Sequence, residues 1–204
     1  TIRSILNHHM GEPPTEFMYN KKSYSPQSFL KTEMQVNPDD YVNFMSLMEA
    51  PWYENALYDV PDNWWRSEDY FNVPLTDFMK AIDQALENGY SLSIGGDVSE
   101  SGYLPEYDVA MIPDYDIPSS HINDYSRQLR FTNRSTTDDH AIHLMGSTVK
   151  NGEKWYLIKD SGSGARNGKF SGFYFYHEDY VKLKTMSFTV HKDAVKNLLR
   201  ANRQ

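Results

Sequence analysis

The pair Asn151-Gly152, set between the runs Ala141 to Met145 and Lys154 to Lys159, constrains this chain more than any other feature. Asn-Gly adopts the positive-φ conformations that a two-residue hairpin turn requires, and Trp155, Leu157 and their neighbours alternate as a half-buried strand does. An antiparallel hairpin is predicted. In such a hairpin the start of the first strand and the end of the second lie side by side. His140 stands at the first of these places and Asp160 at the second.

The rest of the chain reads as elements that could surround that hairpin. Residues 74 to 88 carry Leu75, Phe78, Met79, Ile82, Ala85 and Leu86 at helical spacing, with Pro74 at the start and Asn88-Gly89 as the stop. Tyr90 to Ile94 alternates like a half-buried strand and ends at Gly95-Gly96, where backbones can approach closely. Phe173 to Tyr176 and Met186 to His191 read as further strands, the last followed by a charged tail. Residues 1 to 10 form a short amphipathic helix with Ile2, Ile5, Leu6 and Met10 near one face, halted by Gly11-Glu12-Pro13-Pro14. Residues 17 to 65 are cut by Pro26, Pro38, Pro51 and Pro61 and read as loops packed on a larger body. Residues 99 to 134 read as a long loop with one helical turn around Ser120 to Leu129. The expected class is α+β: a helical and loop-rich segment, 1–73, packing on a lobe, 74–204, of one helix and an antiparallel sheet curling toward a barrel.

Composition removes several functions. Twenty basic against 28 acidic residues leave a formal charge of −8, and no Lys/Arg block is long enough to track a phosphate backbone, so nucleic acid is not expected as a partner. No apolar run approaches the roughly 20 residues that span a bilayer. There is no cysteine, which excludes disulfides, thiolate metal sites and a thiol nucleophile within these residues. The opening Thr1 to Asn7 has neither an initiator Met nor the apolar core of a secretory signal, so an absent native N-terminus is expected and the compartment cannot be read.

Chemistry concentrates in Thr136 to Gly146. An imidazole at the mouth of a strand, after a loop that water reaches, suits a general base, and a carboxylate at 160 beside it would hold the ring in one orientation and fix its tautomer. A metal reading of Asp138, Asp139, His140 and His143 meets a geometric obstacle, because in a strand an odd separation sends His140 and His143 to opposite faces, and they could chelate one ion only if that segment were helical. The run Gly162 to Lys169 departs from a phosphate loop in its glycine spacing and in Phe170 where a hydroxyl is needed. Asp97 reads as a turn aspartate with a local backbone hydrogen bond. The aromatic group Trp52, Trp64, Trp65 and Phe71 reads as the seal of a lobe interface.

Asp139-His140-Ala141-Ile142, a glycine four residues beyond, and a hairpin ending in Lys159-Asp160-Ser161 resemble the histidine and asparagine blocks of papain-like cysteine peptidases. Ile5-Leu6-Asn7 through Gly11-Glu12-Pro13-Pro14, the turn Gly95-Gly96-Asp97-Val98, Thr136 to His140, and Val190-His191-Lys192-Asp193-Ala194 resemble more narrowly the bacterial aminopeptidase C and bleomycin hydrolase relatives. Together these blocks cover nearly the whole chain, most weakly between Ser99 and Ser135. The resemblance implies the C-terminal, histidine-bearing lobe of a two-lobed enzyme that hydrolyses peptide bonds without a cofactor. His140 and Asp160 are then its catalytic residues, and the nucleophilic cysteine belongs to a first lobe absent from this chain. Two positions depart from the pattern: the family's asparagine is Asp160, and its following tryptophan is Gly162.

The implied partners are a peptide substrate and the cysteine-bearing half, and the resemblance leaves a homo-oligomer possible. Alone, these 204 residues are expected to be inactive. Two other readings stay open: a non-catalytic relative that binds peptides or proteins, and a metal-dependent hydrolase.

Overall fold

The structure, a computed structural model, describes residues 1–201. The chain forms two compact units, Thr1–Asp40 and a second that begins at Tyr41. The first holds α1 (Ile2–Met10), the hairpin β1 (Phe17–Tyr19) and β2 (Lys22–Tyr24), and α2 (Pro26–Thr32). Thr1 caps α1 through its side chain, and Ile2, Ile5, Leu6 and Met10 all stay exposed. Asn20 and Lys21 turn the small hairpin with φ of 48° and 66°, and Phe29 of α2 packs edge-on against Tyr19 and Tyr24. Nothing in a dipeptide Asn-Lys announces such a turn as Asn-Gly does, so this hairpin was expected as loop.

In the second unit, β3 (Tyr41–Met45), β4 (Asn55–Ala56) and β5 (Tyr70–Asn72) precede the helix α3 (Leu75–Glu87) and strand β6 (Leu92–Gly96). Two-residue strands β7 (Tyr103–Leu104) and β8 (Val109–Ala110) interrupt the long polar stretch, which ends in α4 (Asp124–Thr132). The hairpin β9 (His140–Lys150) and β10 (Glu153–Lys159) follows, then β11 (Phe173–His177), α5 (Glu178–Lys184), β12 (Thr185–His191) and α6 (Lys196–Ala201). The charged tail thus begins as helix, and its last residues, 202–204, lie outside the described residues.

Ten strands form one sheet in the order β4-β5-β3-β12-β6-β9-β10-β11-β8-β7. This corrects three expectations. The sheet is mixed, since β3 pairs with β5 and β11 with β8 in parallel. Its order is linear with β4 and β7 at the ends, and among the described residues no pairing closes it into a barrel. Residues 41–72 supply three of its strands, so the division falls after Asp40 rather than at the expected 73. These strands are too short to show a period, and what holds their connections is a buried amide: Asn72, fully buried, donates to the Leu47, Ala50 and Pro51 carbonyls and accepts from the Leu47 amide.

The core lies between α3 and the sheet. Phe78 and Phe44 both pack on Phe188 of β12 with centroids 4.8 Å away, and Ala81, Ile82 and Ala85 bury the rest of the helix face. Arg127 of α4 is fully buried above the Phe78 ring, its guanidinium donating to the Ser46 and Lys182 carbonyls. Burial draws its pKa down to about 10. α5 has a charged first turn and last turn around Tyr180, Val181 and Leu183, a stretch too short for a helical period to stand out.

Gly95 and Gly96 end β6 where β12 presses against it. A Cβ at Gly96 would lie 2.2 Å from the Lys184 carbonyl oxygen, a backbone atom that cannot swing aside. Gly96→Ala is therefore expected to destabilise the fold by about 2–3 kcal/mol through overpacking, read as a lower denaturation midpoint at unchanged slope.

Candidate functional site

His140 opens β9 directly opposite Gly96, and Asp160 follows the last residue of β10. Lys159 pairs with His143, so Asp160 stands diagonally across from His140 on the same face. The two side chains meet: His140 Nε2 lies 2.8 Å from Asp160 Oδ1. The imidazole is 28% exposed and the carboxylate 2%. His143 points to the other face with Ala141, away from His140, as strand alternation requires.

Asp160 is held from three sides. Its Oδ1 also accepts the Gly162 amide at 2.7 Å, an Asx turn, and its Oδ2 accepts the Tyr103 hydroxyl at 3.2 Å. Burial works against the charge, but the Gly162 amide, His140 and Tyr103 outweigh it and hold the carboxyl below its ordinary value. An acceptor of this kind takes the Nε2 proton of the ring and leaves the Nδ1 lone pair as the basic end. Among the described residues no hydrogen bond engages Nδ1. Tyr103 was not expected here, because it arrives on β7 from the stretch read as loop.

The loop before His140 is fastened by charged side chains, of which Asp97 and Lys184 are buried and Asp139 is exposed. Asp97 makes the expected local bond to the Ser99 amide at 2.9 Å, and its other oxygen accepts the Thr137 amide at 2.8 Å. Asp139 accepts the Val98 amide at 3.0 Å and donates its own amide to the Gly96 carbonyl. Below them Lys184, 1% exposed, ion-pairs with Glu100 and donates to Thr136 Oγ1 at 2.7 Å and the Ser135 carbonyl at 3.3 Å. Lys184 and Glu100 gave no signal in sequence, since the residues they join are far apart along the chain.

An open groove of about 740 Å³ runs along the outer face, with Ser93, Ala141, His143, Lys159, Arg166 and Asp160 among its walls. Of the aromatic group, Phe71 packs on the core while Trp64 and Trp65 stand 81% and 59% exposed, edge to face with each other. Among the described residues, no three His, Cys, Asp or Glu side chains gather as a metal site would need, and no helix is long and apolar enough to cross a membrane.

The fold is similar to that of a solved structure. PepW from Lactobacillus rhamnosis HN001 (DR20) superposes with a TM-score of 0.71 at 18% identity, covering 98% of this chain and 48% of PepW. The fold is papain-like. The chain spans about half the length of PepW. Procathepsin L 3 from the larval midgut of Tenebrio molitor, at 16% identity, covers 50% of this chain and 29% of its own with a TM-score of 0.29, too low to bear weight. No protein-family model matches the sequence, and no curated protein matches it significantly.

Two residues before His140, Asp138 accepts the Tyr58 hydroxyl at 2.7 Å beneath Gly95, and burial pushes its pKa up to about 6, with Asp62 and Asp139 adding to the rise. A carboxyl raised in the folded state is bound more tightly to its proton there than in the unfolded chain. Its contribution is therefore lost as pH climbs from about 4 through about 6, at a cost of roughly 2–3 kcal/mol above that window. Asp138→Asn is expected to raise unfolding stability by about 1–2 kcal/mol at pH 7 and to change it little below pH 4, measured by urea denaturation at the two pH values.

Proposed function

We propose that this chain is the histidine-bearing lobe of a papain-like cysteine peptidase of the aminopeptidase C and bleomycin hydrolase type. The single observation that carries the reading is the His140–Asp160 pair, with Nε2 tied to a buried carboxylate and Nδ1 left free at an open rim. The papain-like fold supports it, and so does the order of sequence blocks around the two residues. In this reading the strands from β12 to β11 form the barrel-like wall of the lobe, and a cysteine thiolate supplied from outside these 204 residues attacks the peptide carbonyl.

The chemistry then divides as follows. The thiol passes its proton to His140 Nδ1. The resulting imidazolium is stabilised by Asp160 and protonates the leaving amine as the acyl–sulfur bond forms and the peptide C–N bond breaks. Water, deprotonated by the same nitrogen, then hydrolyses the thioester and returns the thiol. The family's amide acceptor fixes the ring by hydrogen bonding alone, whereas Asp160 adds a negative charge that favours a thiolate–imidazolium couple. The substrate is a peptide, and the partner is the cysteine-bearing portion of the same enzyme. The same reading accommodates a homo-oligomer, which sedimentation of the intact protein would reveal.

The test is peptide hydrolysis by the intact protein. Thiol-dependent cleavage of aminoacyl or short peptide substrates, abolished by iodoacetamide, is expected. His140→Ala should lower kcat by about a thousandfold and Asp160→Ala by about ten- to a hundredfold. Absence of any thiol-dependent cleavage in the unsubstituted protein, alongside saturable peptide binding, would instead favour a non-catalytic peptide-binding relative. Activity indifferent to His140→Ala would remove the reading.

A further inference from the structure

Both oxygens of Asp160 are occupied, but unequally. Oδ1 faces the Gly162 amide and His140 Nε2, while the Tyr103 hydroxyl supplies the one hydrogen bond to Oδ2 among the described residues. A carboxylate anchored at one oxygen alone can rotate about its Cβ–Cγ bond, since that torsion is broad. Such a rotation would tilt the carboxylate plane away from the imidazole N–H and loosen the ring with it. A donor on the second oxygen removes that freedom.

Tyr103 is built into place for such a role. β7 pairs with β8, putting Tyr103 opposite Ala110, and β8 lies parallel to β11 with Ala110 opposite Tyr176. The ring stacks on Tyr174 at 4.9 Å and meets Tyr176 edge-on at 6.3 Å, and those two tyrosines are 0% and 1% exposed. The chain therefore spends an excursion of the long segment after β6 to lay one phenol against the outer oxygen of Asp160. Burial, with Tyr174, Tyr176 and Asp160 as neighbours, keeps that phenol protonated across the working range, so it remains a donor. On the other side of the carboxylate stands Gly162, whose missing Cβ would have lain 3.1 Å from Oδ1. Nothing from position 162 covers the pair.

We propose that Tyr103 is the positioning residue of the His140–Asp160 pair: its hydroxyl locks the Asp160 carboxylate plane so that one oxygen stays aimed at the imidazole N–H. Its importance for turnover rests on the peptidase reading above, while the lock itself can be measured without turnover.

The experiment follows the Asp160 carboxyl carbon by NMR in the intact protein made with carboxyl-13C aspartate, the resonance being assigned by its loss in Asp160→Asn. Tyr103→Phe keeps the ring and its stacking and removes only the donor, so the Asp160 titration midpoint should rise by about one pH unit. A packing role alone would not move it. Replacing Tyr103 site-specifically with 3-fluorotyrosine, a phenol of nearly the same size and stronger donating power, should move the midpoint down, and this arm decides the matter if Tyr103→Phe does not fold. A midpoint unchanged by either folded variant overturns the proposal. In thiol-dependent peptide hydrolysis, Tyr103→Phe should lower kcat about tenfold with KM within twofold. A shifted midpoint in a protein that hydrolyses no peptide would sink the peptidase reading and leave the lock standing.

Discussion

The pairing of β9 on both its edges governs everything at the site. Against β6 it sets His140 opposite Gly96, and against β10 it sets Asp160 one diagonal step from His140. A slip of one residue on either side would turn the imidazole to the wrong face, because side chains alternate along a strand. What prevents the slip is the inner row Ile142 and Leu144, buried against Ile94 and Ile158. The register shift between Leu157 and Ile158 absorbs an extra residue near Gly146, so the outer half of the hairpin, around Asn151-Gly152, and its inner half follow different pairings. Without that bulge Asp160 would fall on a different partner.

Register alone places Cα atoms, and the side chains need fixed loops. Here buried charges supply the fixing. Asp97 and Lys184 bind backbone and hydroxyl groups on both sides of the turn after β6 and of the loop before β9. Asp108, 3% exposed, does the same for the glycine-rich stretch after β10, accepting the Lys169 and Phe170 amides at 2.6 and 3.0 Å. Each such group would cost several kcal/mol if left unpaired in the interior, so the loops cannot open locally without exposing it to water or leaving it unsatisfied. Rigidity at the rim thus comes from polar clamps more than from apolar packing.

Sequence made the central strands and α3 legible because each is long enough to show a period: α3 over thirteen residues, the hairpin through its Asn-Gly turn. That His140 and Asp160 lie close along the hairpin followed from the same turn, but their sharing of one face depends on the bulge near Gly146, which no sequence pattern announces. Elements of two or three residues, such as β4, β5, β7 and β8, show no period, and their existence depends on neighbours that sequence does not display. Tyr103 was hidden for that reason, as was the division after Asp40. The expected curling toward a barrel could not have been read more finely for a related reason: closure is a property of which edges meet, and alternation within a strand says nothing about its edges.

A carboxylate rather than an amide at position 160 has consequences that only the structure reveals. An asparagine there carries one acceptor oxygen and one donor nitrogen, so of its two terminal atoms only one can accept the imidazole N–H. A carboxylate offers two acceptors, and the oxygen turned away from the ring needs a donor of its own. It also carries a charge that burial penalises unless several donors meet it. Both problems have the same solution, which is more donors, arranged asymmetrically. Gly162 contributes its amide and, lacking a side chain, lets the turn close tightly against Oδ1; Tyr103 contributes the donor at Oδ2. The aspartate, the glycine two residues on and the tyrosine on β7 are therefore one device. In Asp160→Asn the amide oxygen could keep His140 and Gly162, but the amide nitrogen would then have to donate to the Tyr103 oxygen, so that hydrogen bond would reverse and the tyrosine would no longer be the donor.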